Sequence, residues 1–172
     1  RWYEPFAGSA ALTLAAANIG LAKEFIIGDT LAPLIEIWKM VISNPVQLAN
    51  EYETIWNEFN KAGIQHYTNV RTRFNTNNNP ADLLYLLARC VKNSPRWNKE
   101  GFFNQSEDKR RLGMNPVKMR KELIGAHWIL KNRAFAISDD FEEVVIEACP
   151  EDIVYMDPPW EGTSYGKDRR YH

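Results

Sequence analysis

Residues 1–28, RWYEPFAGSAALTLAAANIGLAKEFIIG, decide the fold. Residues 1–4 read as the tail of a strand and residues 5–9 as a turn. The alanine-rich stretch 10–18 reads as a helix, with Gly20 at its end. Residues 23–28 (KEFIIG) form a short apolar strand that runs into Asp29, and the next helical pattern covers residues 32–43. Strand, helix, strand, helix in that order predicts a parallel sheet. The same rhythm returns near the end of the chain. Residues 134–138 (AFAIS) read as a strand, and residues 139–148 as a helix opened by the capping box Asp139-x-x-Glu142. Residues 153–156 (IVYM) make a fourth strand, which leads into Asp157-Pro158-Pro159-Trp160.

The middle of the chain has a different character. Asn-Pro occurs at Asn44-Pro45, Asn79-Pro80 and Asn115-Pro116. Each pairs a helix-capping residue with a proline suited to the first helical turn. One apolar stripe follows at Leu48, Tyr52, Ile55, Trp56 and Phe59, and another at Leu83, Leu84, Leu87 and Val91. Periodicity stops between Lys92 and Asn115, where an irregular loop or hairpin is expected. The layout is therefore an α/β sheet of about four parallel strands with a mainly helical insertion. The boundaries are residues 1–44, 45–130 and 131–172.

Composition bounds the rest. With 172 residues, 45% hydrophobic and 25% charged, the chain suits one globular domain carrying an insertion. No apolar run approaches the roughly 18 residues of a membrane helix, and no signal-peptide pattern is present. Cys90 and Cys149 are too few for a disulfide framework, and His66, His127 and His172 lack metal spacing. A cytoplasmic protein without a metal is expected. The net charge of -1 hides a segregation: residues 92–121 hold nine basic side chains against Glu100, Glu107 and Asp108. Such a stripe on an otherwise acidic chain suggests a polyanion contact, with a merely solvated face as the alternative.

In an open parallel sheet, ligands bind beyond the carboxyl ends of the strands. Glu4-Pro5-Phe6-Ala7-Gly8-Ser9, Asp29, Asp139-Asp140 and the DPPW tetrapeptide all fall there. A glycine after the first strand admits close approach of a ligand to the backbone. An acid at the end of the second strand is placed to accept hydrogen bonds from a ribose. There is no G-x-G-x-x-G and no G-x-x-x-x-G-K, and Glu4 puts negative charge where a pyrophosphate would lie. A nucleoside cofactor with a positive centre fits better than a dinucleotide or a triphosphate. In DPPW the two prolines stiffen the backbone and add no N–H of their own. A carboxylate beside a rigid carbonyl makes a pair of acceptors for an NH2 group, and the adjacent indole can stack on a flat base.

These residues carry a resemblance. Glu4 to Ser9 resembles the cofactor motif of the Dam-like, alpha-type (D12 class) DNA adenine-N6 methyltransferases, and Asp157 to Trp160 resembles their catalytic D-P-P-Y/W motif. Arg96-Trp97-Asn98-x-x-Gly101-x-Phe103-Asn104 is similar to a stretch of their target-recognition region. The segment from Phe25 to Val41 is similar to their second-strand region. The resemblance implies a Rossmann-like sheet and methyl transfer from S-adenosylmethionine to adenine N6 of double-stranded DNA, on a base extruded from the duplex. It places Glu4, Pro5, Phe6, Ala7, Gly8 and Ser9 around the cofactor, the last four on its methionine part. Asp29 goes to its ribose, and Asp140 and Phe141 lie near its adenine. It gives the target amine to Asp157 and the Pro158 carbonyl, with Pro159 in the rigid turn and Trp160 stacked on the base. Arg96, Trp97, Asn98, Asn104, Lys109, Arg110 and Arg111 are assigned to DNA, Trp97 and Asn98 at the gap left by the base.

Ala10 stands where many members have glycine, and Trp160 replaces the commoner tyrosine. Neither cysteine sits in a nucleophile setting, which excludes a cytosine-C5 mechanism. The family's segment ahead of the first strand and its strands after the catalytic motif have no counterpart in these 172 residues. A fragment is therefore expected, or a chain that needs a complementing subunit. On that basis the 172 residues alone are expected to methylate DNA poorly and to self-associate through an open sheet edge. Two rivals stand beside this reading: an RNA adenine methyltransferase, and a catalytically silent DNA-recognition subunit. A bacterial or phage setting is expected.

Overall fold

The computed structural model describes residues 1–62, 65–110 and 112–158, the side chains of residues 59–62 and 93 excepted. Within them the elements run β1 (Trp2–Glu4), α1 (Ala11–Asn18), β2 (Phe25–Gly28), α2 (Ala32–Ser43), α3 (Pro45–Ala62), α4 (Gln65–Asn77), α5 (Pro80–Arg89), α6 (Pro116–Leu130), β3 (Ala134–Ile137), α7 (Phe141–Val144) and β4 (Ile153–Val154). The chain divides into two compact units. One comprises Arg1–Pro45 and Glu122–Pro158, the other Val46–Lys121.

The first unit holds a four-stranded sheet in the order β3-β2-β1-β4, parallel throughout. Register pairs Trp2 with Phe25 and Ile153, and Phe25 with Ala134, so all four strands finish at one edge. Side chains alternate across the sheet. Trp2 and Glu4 meet Thr13 of α1 on one face. Tyr3 and Ile26 pack with Val144 of α7 on the other. That second face is thinly covered: Phe135 is 54% and Ile146 71% exposed, and an open hollow of about 720 Å³ lies over Tyr3, Ile26 and Phe135. Gly20 ends α1 with a positive φ of 69°. The Leu21 N–H donates to Ala16 O and the Gly20 N–H to Ala17 O, the double bond pattern of a glycine-terminated helix.

Two expectations change here. The helix after β3 covers four residues rather than ten, and its cap is Asp140, which accepts from the Glu142 N–H, whereas Asp139 accepts only from Asp140 N–H. The β-branched Val144-Val145-Ile146 run gives the helix little reason to continue. The fourth strand keeps two residues, paired among the described residues to Trp2 and Tyr3, and its Ile153 and Val154 remain well exposed.

Helices α3 and α5 start at Pro45 and Pro80, as the Asn-Pro pairs predict, and α6 likewise starts at Pro116. The Asn79 side chain accepts from the Ala81 and Asp82 N–H groups, and Asn115 Oδ1 from the Val117 N–H. Leu48, Tyr52 and Ile55 of the first stripe are buried; the Phe59 side chain lies outside those described. On α5 the buried face is Asp82, Leu83, Tyr85, Leu86 and Arg89, shifted from the expected stripe. Two ion pairs make the shift tolerable. Asp82 takes a bidentate bond from Arg73, and Arg89 pairs with Glu107. Helix α4 has none of the stripes named above, yet Tyr67, Val70 and Phe74 stand at helical spacing and with His66 form its buried side.

Candidate active site

The aligned strand ends gather most of the expected cofactor residues. The 5–10 loop leaves β1 and is tied to the end of β2, where the Ala7 N–H donates to Gly28 O (2.8 Å). Gly8 has φ +49°, and nothing lies within 4 Å of where a Cβ would be, so its backbone is open to a ligand. Asp29 holds the loop from below: Oδ2 accepts from the Gly8 N–H (3.0 Å), and Oδ1 from the Leu31 N–H (2.9 Å). The Trp38 indole N–H donates to Gly8 O (3.0 Å). Neither Trp38 nor Thr13 was foreseen at this site. Thr13 is the one hydroxyl in an otherwise apolar helical stretch, a signal that was there to be used.

Phe6 and Phe141 stack with ring centroids 5.5 Å apart, which joins the loop after β1 to the start of α7. Asp140 caps that helix and is exposed. Gly28 is required by close packing: a Cβ there would lie 2.6 Å from Val144 Cγ1 and 3.2 Å from the Pro5 Cα. Glu4 is 5% exposed, and burial pushes its carboxyl above the usual range. Two hydrogen bonds from Thr13 pull it back, and the charge of Asp157 pushes it further up. Glu4 ends β1 and Asp157 follows β4, the strand beside it. Ser9 and Pro158 are exposed beside this edge. Pro159 and Trp160 lie outside the described residues.

The expected DNA-contacting residues lie in the other unit and divide. Residues 90–107 form an irregular hairpin with antiparallel bridges at Cys90–Glu107 and Trp97–Phe103. Trp97 is 5% exposed, set edge-on against Phe103 (5.4 Å) and Phe74 (6.0 Å). Its ring is core, which does not suit the expected place in a DNA gap. Asn98 Oδ1 accepts from the Glu100 and Phe102 N–H groups and so shapes the tip. Asn75, which the sequence did not single out, clips the hairpin by accepting from the Phe103 N–H and donating to its carbonyl. Outward at the tip stand Lys99 and Phe102, the latter 48% exposed. Arg96 is half-buried, and the Asn104 and Lys109 side chains are exposed. Arg110 is exposed and bonded to Asp108. Arg111 lies outside the described residues.

Cys90 is buried, and desolvation pushes its thiol up to about 11; a hydrogen bond to Asp152 pushes Cys149 up as well. Neither environment favours a thiolate nucleophile. Among the described residues no cluster of three His, Cys, Asp or Glu could hold a metal, and no helix is long and apolar enough to cross a membrane.

Comparison with known proteins bears on this arrangement. The family model described as D12 class N6 adenine-specific DNA methyltransferase matches residues 1–172. The chain is 28% identical to the retron Ec67 DNA adenine methylase of Escherichia coli over 100% of its own length and 61% of the relative's. It is 26% identical to the DNA N-6-adenine-methyltransferase of Escherichia phage P1, over 94% of the chain and 21% of that protein. It is 27% identical to the type II methyltransferase M1.LlaDCHI of Lactococcus lactis subsp. cremoris, over 92% and 56%. The chain thus spans 61% or less of the length of these relatives.

Proposed function

The chain belongs to the D12 class N6 adenine-specific DNA methyltransferase family, and on that premise we propose that it forms the cofactor-binding, recognition and catalytic parts of a site-specific adenine-N6 methyltransferase. Residues 1–44 and 131–172 would serve S-adenosylmethionine and catalysis, and residues 45–130 would recognise double-stranded DNA. The observation that carries this reading is the single edge where the open Gly8 loop, Asp29, the Phe6–Phe141 stack and the strand-end carboxylates Glu4 and Asp157 converge.

That edge suits S-adenosylmethionine. Gly8 leaves room against its backbone, and Asp29 keeps lone pairs for ribose hydroxyls after serving two N–H groups. When bound, S-adenosylmethionine supplies an electrophilic methyl group on a sulfonium. The protein's own part is acceptance and orientation. The Asp157 carboxylate and the Pro158 carbonyl accept from the N6 amine of an extruded adenine, which raises the electron density on its nitrogen. No covalent enzyme intermediate is involved. In the recognition unit, Trp97 and Asn98 build the hairpin, while Phe102 and Lys99 at its tip, with Asn104 and Lys109, face the DNA. The family description and the names of the retron Ec67 and phage P1 relatives specify DNA, which favours this reading over RNA, and the relatives' origins suit a cytoplasmic bacterial or phage protein. The exposed Ile153 and Val154 suit pairing of β4 with a further strand, from the rest of the protein or from a second chain.

A transfer assay with tritiated S-adenosylmethionine, followed by nucleoside digestion of the DNA, tests the proposal in the full protein. N6-methyladenine is the expected product, and Asp157→Ala should abolish transfer while cofactor binding largely remains. Methylcytosine as the main product would sink the reading. Cofactor and DNA binding without transfer would favour the silent recognition subunit.

A further inference from the structure

Trp2, Thr13 and Glu4 form a buried chain of hydrogen bonds. The Trp2 indole N–H donates to Thr13 Oγ1 (2.9 Å), the Thr13 hydroxyl donates to Glu4 Oε2 (2.5 Å), and the Thr13 backbone N–H donates to the same oxygen (2.8 Å). Thr13 is 0% exposed. The direction of the chain follows from chemistry. An indole N–H can only donate, so the Thr13 oxygen accepts there and its own proton goes to the carboxylate.

Part of this arrangement is a helix cap. Ala10, at the N-cap of α1, has no side-chain acceptor, and Glu4 takes the free N–H of Thr13 in its place. A cap needs only that N–H. The hydroxyl bond and the indole that orients it are additional, and the hydroxyl reaches the same carboxylate oxygen as the N–H. Asp157 is the charged group brought to bear on Glu4 among the described residues, and it repels. A buried carboxylate beside a second one keeps its charge when donors are aimed at it. With Oε2 occupied twice, Oε1 is the oxygen left for a ligand.

We propose that Thr13 is a positioning residue for cofactor binding: it holds Glu4 by Oε2 and presents Oε1 to the cationic amino-acid end of S-adenosylmethionine. This rests on the functional reading above. Trp2 orients Thr13, so the three residues act as a unit.

The test is S-adenosylmethionine affinity, measured by calorimetry on the full protein, in a cycle of Thr13→Val, Glu4→Gln and the double variant, with Thr13→Ser as the rescue. Loss of one charge-assisted hydrogen bond should weaken binding by roughly tenfold or more in Thr13→Val. Thr13→Ser, which keeps the hydroxyl, should stay within about threefold of the parent on the same principle. In the Glu4→Gln background Thr13→Val should change affinity by less than about threefold, because it acts through Glu4. Equal losses in both backgrounds, or unchanged affinity in a folded Thr13→Val, would overturn the proposal. Should Thr13→Val not fold, Thr13→Cys, whose thiol is a weak donor, replaces it with the same two outcomes. If the unsubstituted protein binds no S-adenosylmethionine, the functional reading fails and this proposal with it. Binding by the parent with additive effects defeats the Thr13 proposal alone.

Discussion

Replacing Trp97 and Phe102 by alanine, one at a time, separates the core of the 90–107 hairpin from its proposed DNA-contacting tip. Trp97 is 5% exposed and packs against Phe74 and Phe103, so truncation empties a ring-sized space in the aromatic core. Such truncations cost about 3–5 kcal/mol. At about 2–4 °C per kcal/mol for a chain of this size, the melting temperature of Trp97→Ala should fall by about 6–20 °C. Phe102 stands 48% exposed at the tip, and surface changes of this kind stay within about 0.5 kcal/mol. If its ring stacks on a base, Phe102→Ala should lose about 1–3 kcal/mol of DNA affinity, roughly 5- to 150-fold. The assays are thermal melting by circular dichroism and fluorescence anisotropy with a labelled duplex, the latter at a temperature where each variant is folded. A Trp97→Ala protein that melts like the parent yet fails to bind DNA would show that the ring is a contact and not core.

Gly28→Ala should destabilise the sheet unit by about 1–3 kcal/mol through overpacking, since the new methyl meets Val144 and Pro5; urea denaturation reads this, and S-adenosylmethionine affinity should weaken as the 5–10 loop shifts. Glu4 contributes a pH dependence of known sign. Its carboxyl is raised in the fold, so the folded state binds the extra proton, and that contribution is full below the unfolded value and lost as pH rises through the folded one. Glu4→Gln should therefore be more stable than the parent at pH 8 and lose that advantage near pH 4, a difference visible in denaturation midpoints. Lys99→Ala and Lys109→Ala should each flatten the salt dependence of DNA affinity, by roughly 0.9 in slope for each phosphate left without its cation; Arg110→Ala should do less, because that guanidinium already bonds Asp108. An unchanged slope would return this stretch to an ordinary solvated face.

What the sequence by itself determined about this protein lies in features governed by neighbours along the chain. The parallel sheet follows from short apolar strands spaced by helices, and the starts at Pro45, Pro80 and Pro116 follow from Asn-Pro chemistry. The turn at Gly20 follows from the freedom of glycine at positive φ. The strand-end residues Glu4, Gly8, Asp29 and Asp157 were legible because a parallel sheet delivers its loops to one edge. Only the tertiary structure decided where distant partners meet. Asp82 and Arg89 could not be read as buried, since a charge enters a core only when its partner arrives, here Arg73 and Glu107. The polar helix α4 forms because Tyr67, Val70 and Phe74 find a core to enter, Phe74 against Trp97 and Phe103, and that same packing takes Trp97 inward. Asn98 reads from the sequence as a DNA contact, and only the fold shows its carbonyl oxygen shaping the turn. At the strand-end edge the sequence could nominate Glu4 but not its holders, because Thr13 reaches the carboxylate only once α1 has folded back onto β1.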